Sequence, residues 1–192
     1  MGVPKIDTGP MTVDEFYLFT DARPDEEKWE LIDGEPVLNA SPSPIHQWIL
    51  KNVIVALTLQ ERSQEADWAV IPGIGALVSD MSRPEPDAMI LPKNNVRLFH
   101  DRRDTVDAIV LFEIISPSTA SRDLKWKRVA YTNLPALTHY VVIAQDAVDV
   151  VVFARDNGFN EQRYRSAADI IAFPALGVSL PLSEIYRATG LS

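Results

Sequence analysis

The stretch Ala108-Ile-Val-Leu-Phe-Glu113-Ile-Ile-Ser116 is a nearly continuous apolar run that carries one charge. Its length and its β-branched content suit a strand buried on both faces, the kind that occupies the centre of a sheet. An ionised carboxylate inside such a run must be paired, protonated or bound to a metal, because an uncompensated buried charge is expensive. Two readings of Glu113 therefore stand: a structural pair with an arginine, or a functional carboxylate, and the run as a whole favours the second.

Upstream, Pro84 and Pro86 lead into Asp87-Ala-Met-Ile-Leu, a further strand that Asp87 opens. Taken alone, an Asp after Pro is a turn residue. Taken with Glu113 on the next strand, it forms a pair of hard oxygen donors of the kind that Mg²⁺ or Mn²⁺ requires. Downstream, Ser118 or Thr119 can cap a helix on which Asp123, Lys127 and Tyr131 stand at four-residue steps and share one face. Lys125 is turned about 200° from that face. Pro135 lies beyond the helix end.

The remaining chain supplies the elements around this centre. Thr12 followed by Glu15 has the spacing of a capping box and predicts a short helix from Met11. Trp29-Glu-Leu-Ile-Asp-Gly-Glu-Pro-Val-Leu38 reads as a hairpin about an Asp33-Gly34 primed turn, with Glu30 on its first strand. Ser43 as N-cap and Pro44 at the first helical position open a long helix whose stripe is Ile45, Ile49, Val53, Ala56 and Leu57. Trp68 to Ile71 and Ile74 to Val78 have strand character, broken by Pro72-Gly73. Tyr140 to Ala144, Val148 to Ala154 and Gln162 to Arg165 read as antiparallel strands turning at Gln145-Asp146 and Asn157-Gly158, and Leu182 to Thr189 as a closing helix capped by Ser183. This order predicts an α/β (α+β mixed) protein with one mixed sheet flanked by helices.

At 192 residues, without an internal repeat or low-complexity linker, the chain is expected to form a single domain over residues 1–192. With no cysteine there is no disulfide, thiolate metal site or cysteine nucleophile, so any metal must be held by oxygen or imidazole. The first ten residues lack the apolar run of a signal peptide and no stretch is long and apolar enough for a membrane span, which makes the cytoplasm the expected compartment. A net charge of −9 argues against casual nucleic-acid binding, although bound divalent cations invert the local field of an acidic cluster. The densest basic segment is Arg122, Lys125, Lys127 and Arg128, for which a solvated helix face is the plainer reading.

Several of these motifs occur together in one known family. Glu30-Leu-Ile-Asp-Gly-Glu, Ser41-Pro-Ser-Pro-Ile-His46, Pro86-Asp87, Glu113-Ile-Ile-Ser-Pro-Ser-Thr119, Asp123 with Lys127 and Tyr131, and Leu176-Gly-Val-Ser-Leu resemble the Uma-type (Uma-two) restriction endonucleases of the PD-(D/E)XK nuclease superfamily. The resemblance runs from about Thr12 to the C-terminus. It implies a restriction-endonuclease-like central mixed sheet with a helix on each side, and an endonuclease, dependent on Mg²⁺ (or Mn²⁺), that hydrolyses phosphodiester bonds in nucleic acid, DNA foremost. The implied catalytic residues are Asp87, Glu113 and Lys127. Asp87, Glu113 and the backbone carbonyl of Ile114 would be the metal ligands. The superfamily places its lysine two residues after the glutamate, where this chain has Ile115, and Lys127 matches the position to which the family has moved it.

Glu30 and His46 are possible accessories to that site. The plain alternatives are an exposed strand residue for Glu30 and a packing or hydrogen-bonding histidine for His46. Asp123 and Tyr131 are read as orienting Lys127 or capping local hydrogen bonds. By analogy with the superfamily a homodimer or higher homo-oligomer is expected. The competing reading is a catalytically silent binding or assembly module on the nuclease fold, favoured by the net charge of −9 and the absence of an appended DNA-reading domain.

Overall fold

The computed structural model describes residues 9–94, 102–116 and 123–191, with Asp123 and Leu124 described by their backbone only. The Ser118 or Thr119 cap, Arg122 and the side chain of Asp123 lie outside the described residues.

Thr12 starts helix α1 (Val13–Asp21), and its hydroxyl accepts the Glu15 N–H while the Glu15 carboxylate accepts the Thr12 N–H at 2.8 Å. α1 buries Val13 and Phe16 against Trp29 and Leu31 of the hairpin β1 (Trp29–Ile32) and β2 (Glu35–Leu38). Asp33 and Gly34 both take positive φ, 50° and 81°, as a two-residue primed turn demands. Helix α2 (Pro44–Ser63) begins where the Ser43 hydroxyl accepts the His46 N–H, and Ile49, Val53 and Leu57 form its fully buried stripe.

The central sheet joins β3 (Trp68–Pro72), β5 (Ala88–Pro92), β7 (Val110–Ile115), β8 (His139–Ala144), β9 (Val150–Ala154) and β10 (Glu161–Tyr164) in the order β10-β9-β8-β7-β5-β3. β7 and β8 run parallel and every other neighbouring pair runs antiparallel, so the sheet is mixed. All six residues of β7 are buried, as the apolar run predicts. Val110, Phe112 and Ile114 face the α2 side of the core, and Leu111 and Ile115 face the opposite side with Tyr131.

The structure departs from the sequence reading in several places. Among the described residues, three two-stranded sheets accompany the central one, where the sequence predicts a single sheet. Ile74 to Val78 reduces to β4 (Gly75–Ala76), which leaves the central sheet to pair in parallel with β6 (Asp104–Thr105). Gly73, at φ 65°, turns the chain there. The buried Arg83 guanidinium then lies so close to Gly75 that a Cβ at that position would come within 2.2 Å of Arg83 Cζ.

The helix after β7 enters as a π-helical turn (Asp123–Lys127) that passes into α3 (Arg128–Thr132), so its facing residues do not follow simple four-residue steps throughout. A hairpin of β11 (Ile170–Phe173) and β12 (Val178–Pro181), not foreseen from the sequence, precedes α4 (Leu182–Ile185). Ser183 lies inside α4 and does not cap it. The Leu182 and Ser183 N–H groups are taken instead by the Asp169 and Ala167 carbonyls at 3.0 and 3.1 Å, which leaves no work for a capping side chain. Among the described residues no helix is long and apolar enough to cross a membrane.

Candidate active site

The antiparallel register of β5 and β7 pairs Ala88 with Phe112, and continuing it by one residue brings Asp87 opposite Glu113. Asp87 immediately precedes β5. Its Oδ2 takes the Ile114 N–H at 2.7 Å and so closes the ladder with a side chain. The other oxygen, Oδ1, lies 3.1 Å from His46 Nε2, so the first turn of α2 fixes the same carboxylate from the other side. The His46 Nδ1 is buried and has no hydrogen-bond partner among the described residues.

Glu113 is met from α3 and from the hairpin. The Lys127 ammonium lies 2.8 Å from Glu113 Oε1 and 2.8 Å from Glu30 Oε1, and all three side chains are almost wholly excluded from solvent, with residue exposures of 2%, 5% and 0% for Lys127, Glu113 and Glu30. Tyr131 donates its O–H to the same Glu113 oxygen at 2.9 Å, and the Glu85 backbone N–H donates to Glu30 Oε1 at 2.8 Å. Burial, and then the charges of Glu113 and Glu30, push the Tyr131 phenol well above its ordinary value, so it remains a donor at any physiological pH.

Tyr131→Phe removes this donor from a buried carboxylate and should cost about 1–3 kcal/mol in denaturant unfolding. The phenol's raised folded-state pKa also contributes stability that is complete below the unfolded value of about 10 and fades as pH rises towards the folded one. The variant should therefore lose less stability than the parent between neutral and strongly alkaline pH, and an equal loss would contradict the assignment.

The sequence-derived residues Glu30, His46, Asp87, Glu113, Ile114 and Lys127 all line one cleft of about 770 Å³ at the carboxyl end of β7. Glu30 is not an exposed strand residue but a fully buried partner of Lys127. Tyr131 orients Glu113 rather than Lys127. Lys127 is no solvated surface residue, whereas Lys125, two positions earlier, is exposed.

Sequence reasoning missed Glu85, whose backbone holds Glu30, and Gln145, which accepts the Ser43 O–H at 3.1 Å on the cleft wall. Gln145 follows β8, the strand parallel to β7, and the carboxyl ends of parallel strands are where open α/β sheets gather ligands.

The donor chemistry can be tested against a divalent cation. Among the described residues no group of three or more acidic or histidine side chains is disposed as a metal cage. Two carboxylates and a backbone carbonyl are nevertheless what Mg²⁺ accepts, since it keeps several waters, whereas Ca²⁺ would want more protein oxygens. The residues present fit Mg²⁺ or Mn²⁺ on that ground.

In fold, the chain is similar to the crystal structure of a protein described as a "putative nuclease belonging to DUF820" from Anabaena variabilis ATCC 29413. The TM-score is 0.76 at 14% identity, over 92% of this chain and 98% of that one. No curated protein matches the sequence. Residues 13–183, nearly the whole chain, match the Uma2 family, described as "Putative restriction endonuclease". The central mixed sheet between α2 and α3, with its acidic cleft at the end of β7, is thus the form taken here by a member of the Uma2 family, to which this chain belongs.

Proposed function

We propose that the protein is a Mg²⁺-dependent (or Mn²⁺-dependent) endonuclease that hydrolyses phosphodiester bonds in DNA, working as a single nuclease domain in the cytoplasm. The observation that carries this reading is the juxtaposition of Asp87 and Glu113 across adjacent strands at one cleft, with the Lys127 ammonium 2.8 Å from Glu113. Asp87, Glu113 and the Ile114 carbonyl would hold the cation. When bound, it polarises the scissile phosphate and makes the attacking water more acidic.

The chain's own residues prepare that event. Ile114 N–H and His46 fix the two oxygens of Asp87, and Tyr131 and Lys127 fix Glu113. Lys127 adds positive charge beside two carboxylates and so lowers the penalty of bringing a phosphate up to them. Water attacks phosphorus, one P–O ester bond breaks, and no side chain is covalently modified. Cutting both strands of a duplex would call for two copies of the site, which a homodimer supplies.

The second reading, a catalytically silent binding or assembly module, draws on the same buried Glu30–Lys127–Glu113 group, since such a group can be pure architecture. Incubation of the purified protein with supercoiled plasmid and with single-stranded DNA separates the two. Cleavage with Mg²⁺ or Mn²⁺ that stops on chelation, and is lost in Glu113→Gln, is the expected result. Intact DNA under all conditions would leave the binding module.

A further inference from the structure

We propose that Gln145 is a positioning residue for Asp87: it closes a circuit of hydrogen bonds that holds His46 against that carboxylate. This rests on the reading of Asp87 as a cation ligand and names what keeps the ligand in place.

Asp87 Oδ2 takes the Ile114 N–H at 2.7 Å. One residue on, the Ile115 carbonyl takes the Gln145 N–H at 3.1 Å, which extends the parallel pairing of β7 and β8 beyond its last pair, Ile115 with Ala144. The Gln145 side chain then reaches 102 positions back in the chain, where its Oε1 accepts the Ser43 O–H at 3.1 Å. Ser43 Oγ accepts the His46 N–H at 3.2 Å, and His46 Nε2 lies 3.1 Å from Asp87 Oδ1, where the circuit closes. One oxygen of Asp87 is thus tied to the end of β7 directly, and the other to the end of β8 through the first turn of α2.

His46 depends on this circuit because of where it sits. The first turn of a helix has N–H groups without intrahelical partners and frays readily. Later parts of α2 are held in other ways: Ile49 and Val53 are buried in the core, and Trp48 and Asn52 donate to the Arg187 carbonyl. Ser43 has one hydroxyl proton and gives it to Gln145, while its oxygen caps the helix, so the two duties are separable. Removing the Gln145 acceptor leaves the cap in place and frees only the link to β8. Asp146 and Ala147, in the turn that follows β8, are exposed, whereas Gln145 is half-buried on the cleft wall. A carboxylate tied at one oxygen can still turn about that bond, and a second tie fixes its plane. Outer partners that orient a metal ligand are worth about 10–100-fold in metal affinity.

The test is titration calorimetry of the full chain with Mn²⁺, together with NMR of the His46 ring N–H above the ordinary titration range of histidine. Gln145→Leu should weaken Mn²⁺ binding by about tenfold, with Tm lowered by no more than about 4 °C. Ser43→Gly removes the hydroxyl at little cost to the helix start and should also weaken binding, and the two together should be no worse than Ser43→Gly alone. On a His46→Ala background, Gln145→Leu should add nothing. The ring proton between His46 and Asp87, assigned by its loss in His46→Ala, should be sharp in the parent without metal and broadened by exchange in Gln145→Leu.

An unchanged Mn²⁺ affinity in Gln145→Leu, a loss that adds to that of His46→Ala, or a ring signal that stays sharp overturns the proposal. Packing in a turn alone would lower Tm and leave that signal sharp. Failure of the cation reading shows separately, as a parent that takes up no Mn²⁺ while its His46 signal still responds to Gln145→Leu. Mn²⁺ uptake with an indifferent His46 signal would sink the positioning role alone.

Discussion

Lys127→Ala is expected to destabilise the protein by about 3–5 kcal/mol, the usual consequence of removing one partner from a buried ion pair. The residue sits between Glu30 and Glu113 at 2.8 Å from each, and solvent cannot reach the group to replace the ammonium. For a chain of 192 residues this corresponds to a fall in Tm of roughly 10 °C. Lys125→Ala, at an exposed position, should shift stability by no more than about 0.5 kcal/mol. Thermal and urea unfolding of the two variants check the contrast. Glu30→Gln combined with Lys127→Met should recover part of the loss, because it removes a buried charge along with its partner. If Lys127→Ala unfolds like the parent, the ammonium is not held as described. The stability cost also means that a low cleavage rate in Lys127→Ala has to be measured below its new Tm before it speaks of chemistry.

Asp87→Asn should give the largest effect on activity with little effect on the fold. Asparagine keeps an acceptor for the Ile114 N–H, so the strand end remains closed, while the negative charge is lost. Cleavage should fall by at least about a hundredfold, the scale on which one electrostatic contributor to such a site is felt. His46→Ala, which removes only a group that orients Asp87, should lower the rate less and leave cation binding measurable by calorimetry. An Asp87→Asn protein as active as the parent would mean that the carboxylate serves only as a structural acceptor for the strand.

The central strand is legible because a nearly continuous apolar run of this length reads as a strand buried on both faces, and β7 is indeed a wholly buried inner strand of the sheet, with Glu113 paired to a lysine rather than to the arginine that the structural alternative named. The Thr12–Glu15 box, the Asp33-Gly34 turn and the Ser43-Pro44 start were legible for a different reason: each is a contact within three or four residues, which spacing alone reveals. Glu30 is legible as a candidate accessory of the site, but its burial is not. Its burial depends on a lysine 97 positions away, and a glutamate on a short hairpin strand shows no local sign of such a partner.

The β11–β12 hairpin shows in sequence only as two four-residue segments, and alternation over so short a span does not separate a strand from a loop. β4 leaves the central sheet to pair with β6, more than 25 residues later in the chain, and its Gly75 lies against the Arg83 guanidinium, neither of which periodicity encodes. The wide π-helical turn before α3 is equally silent in sequence, yet it delivers Lys127 and Tyr131 to the same carboxylate.

The account depends most directly on Asp87 and Glu113 sharing one cation, and crystals soaked in Mn²⁺ can locate that cation by its anomalous scattering. One peak within about 2.0–2.6 Å of a carboxylate oxygen from each residue, lost in Asp87→Asn, is the predicted result. A peak held by other groups, or none at all in a soak where Glu113 remains locked to Lys127, would contradict it.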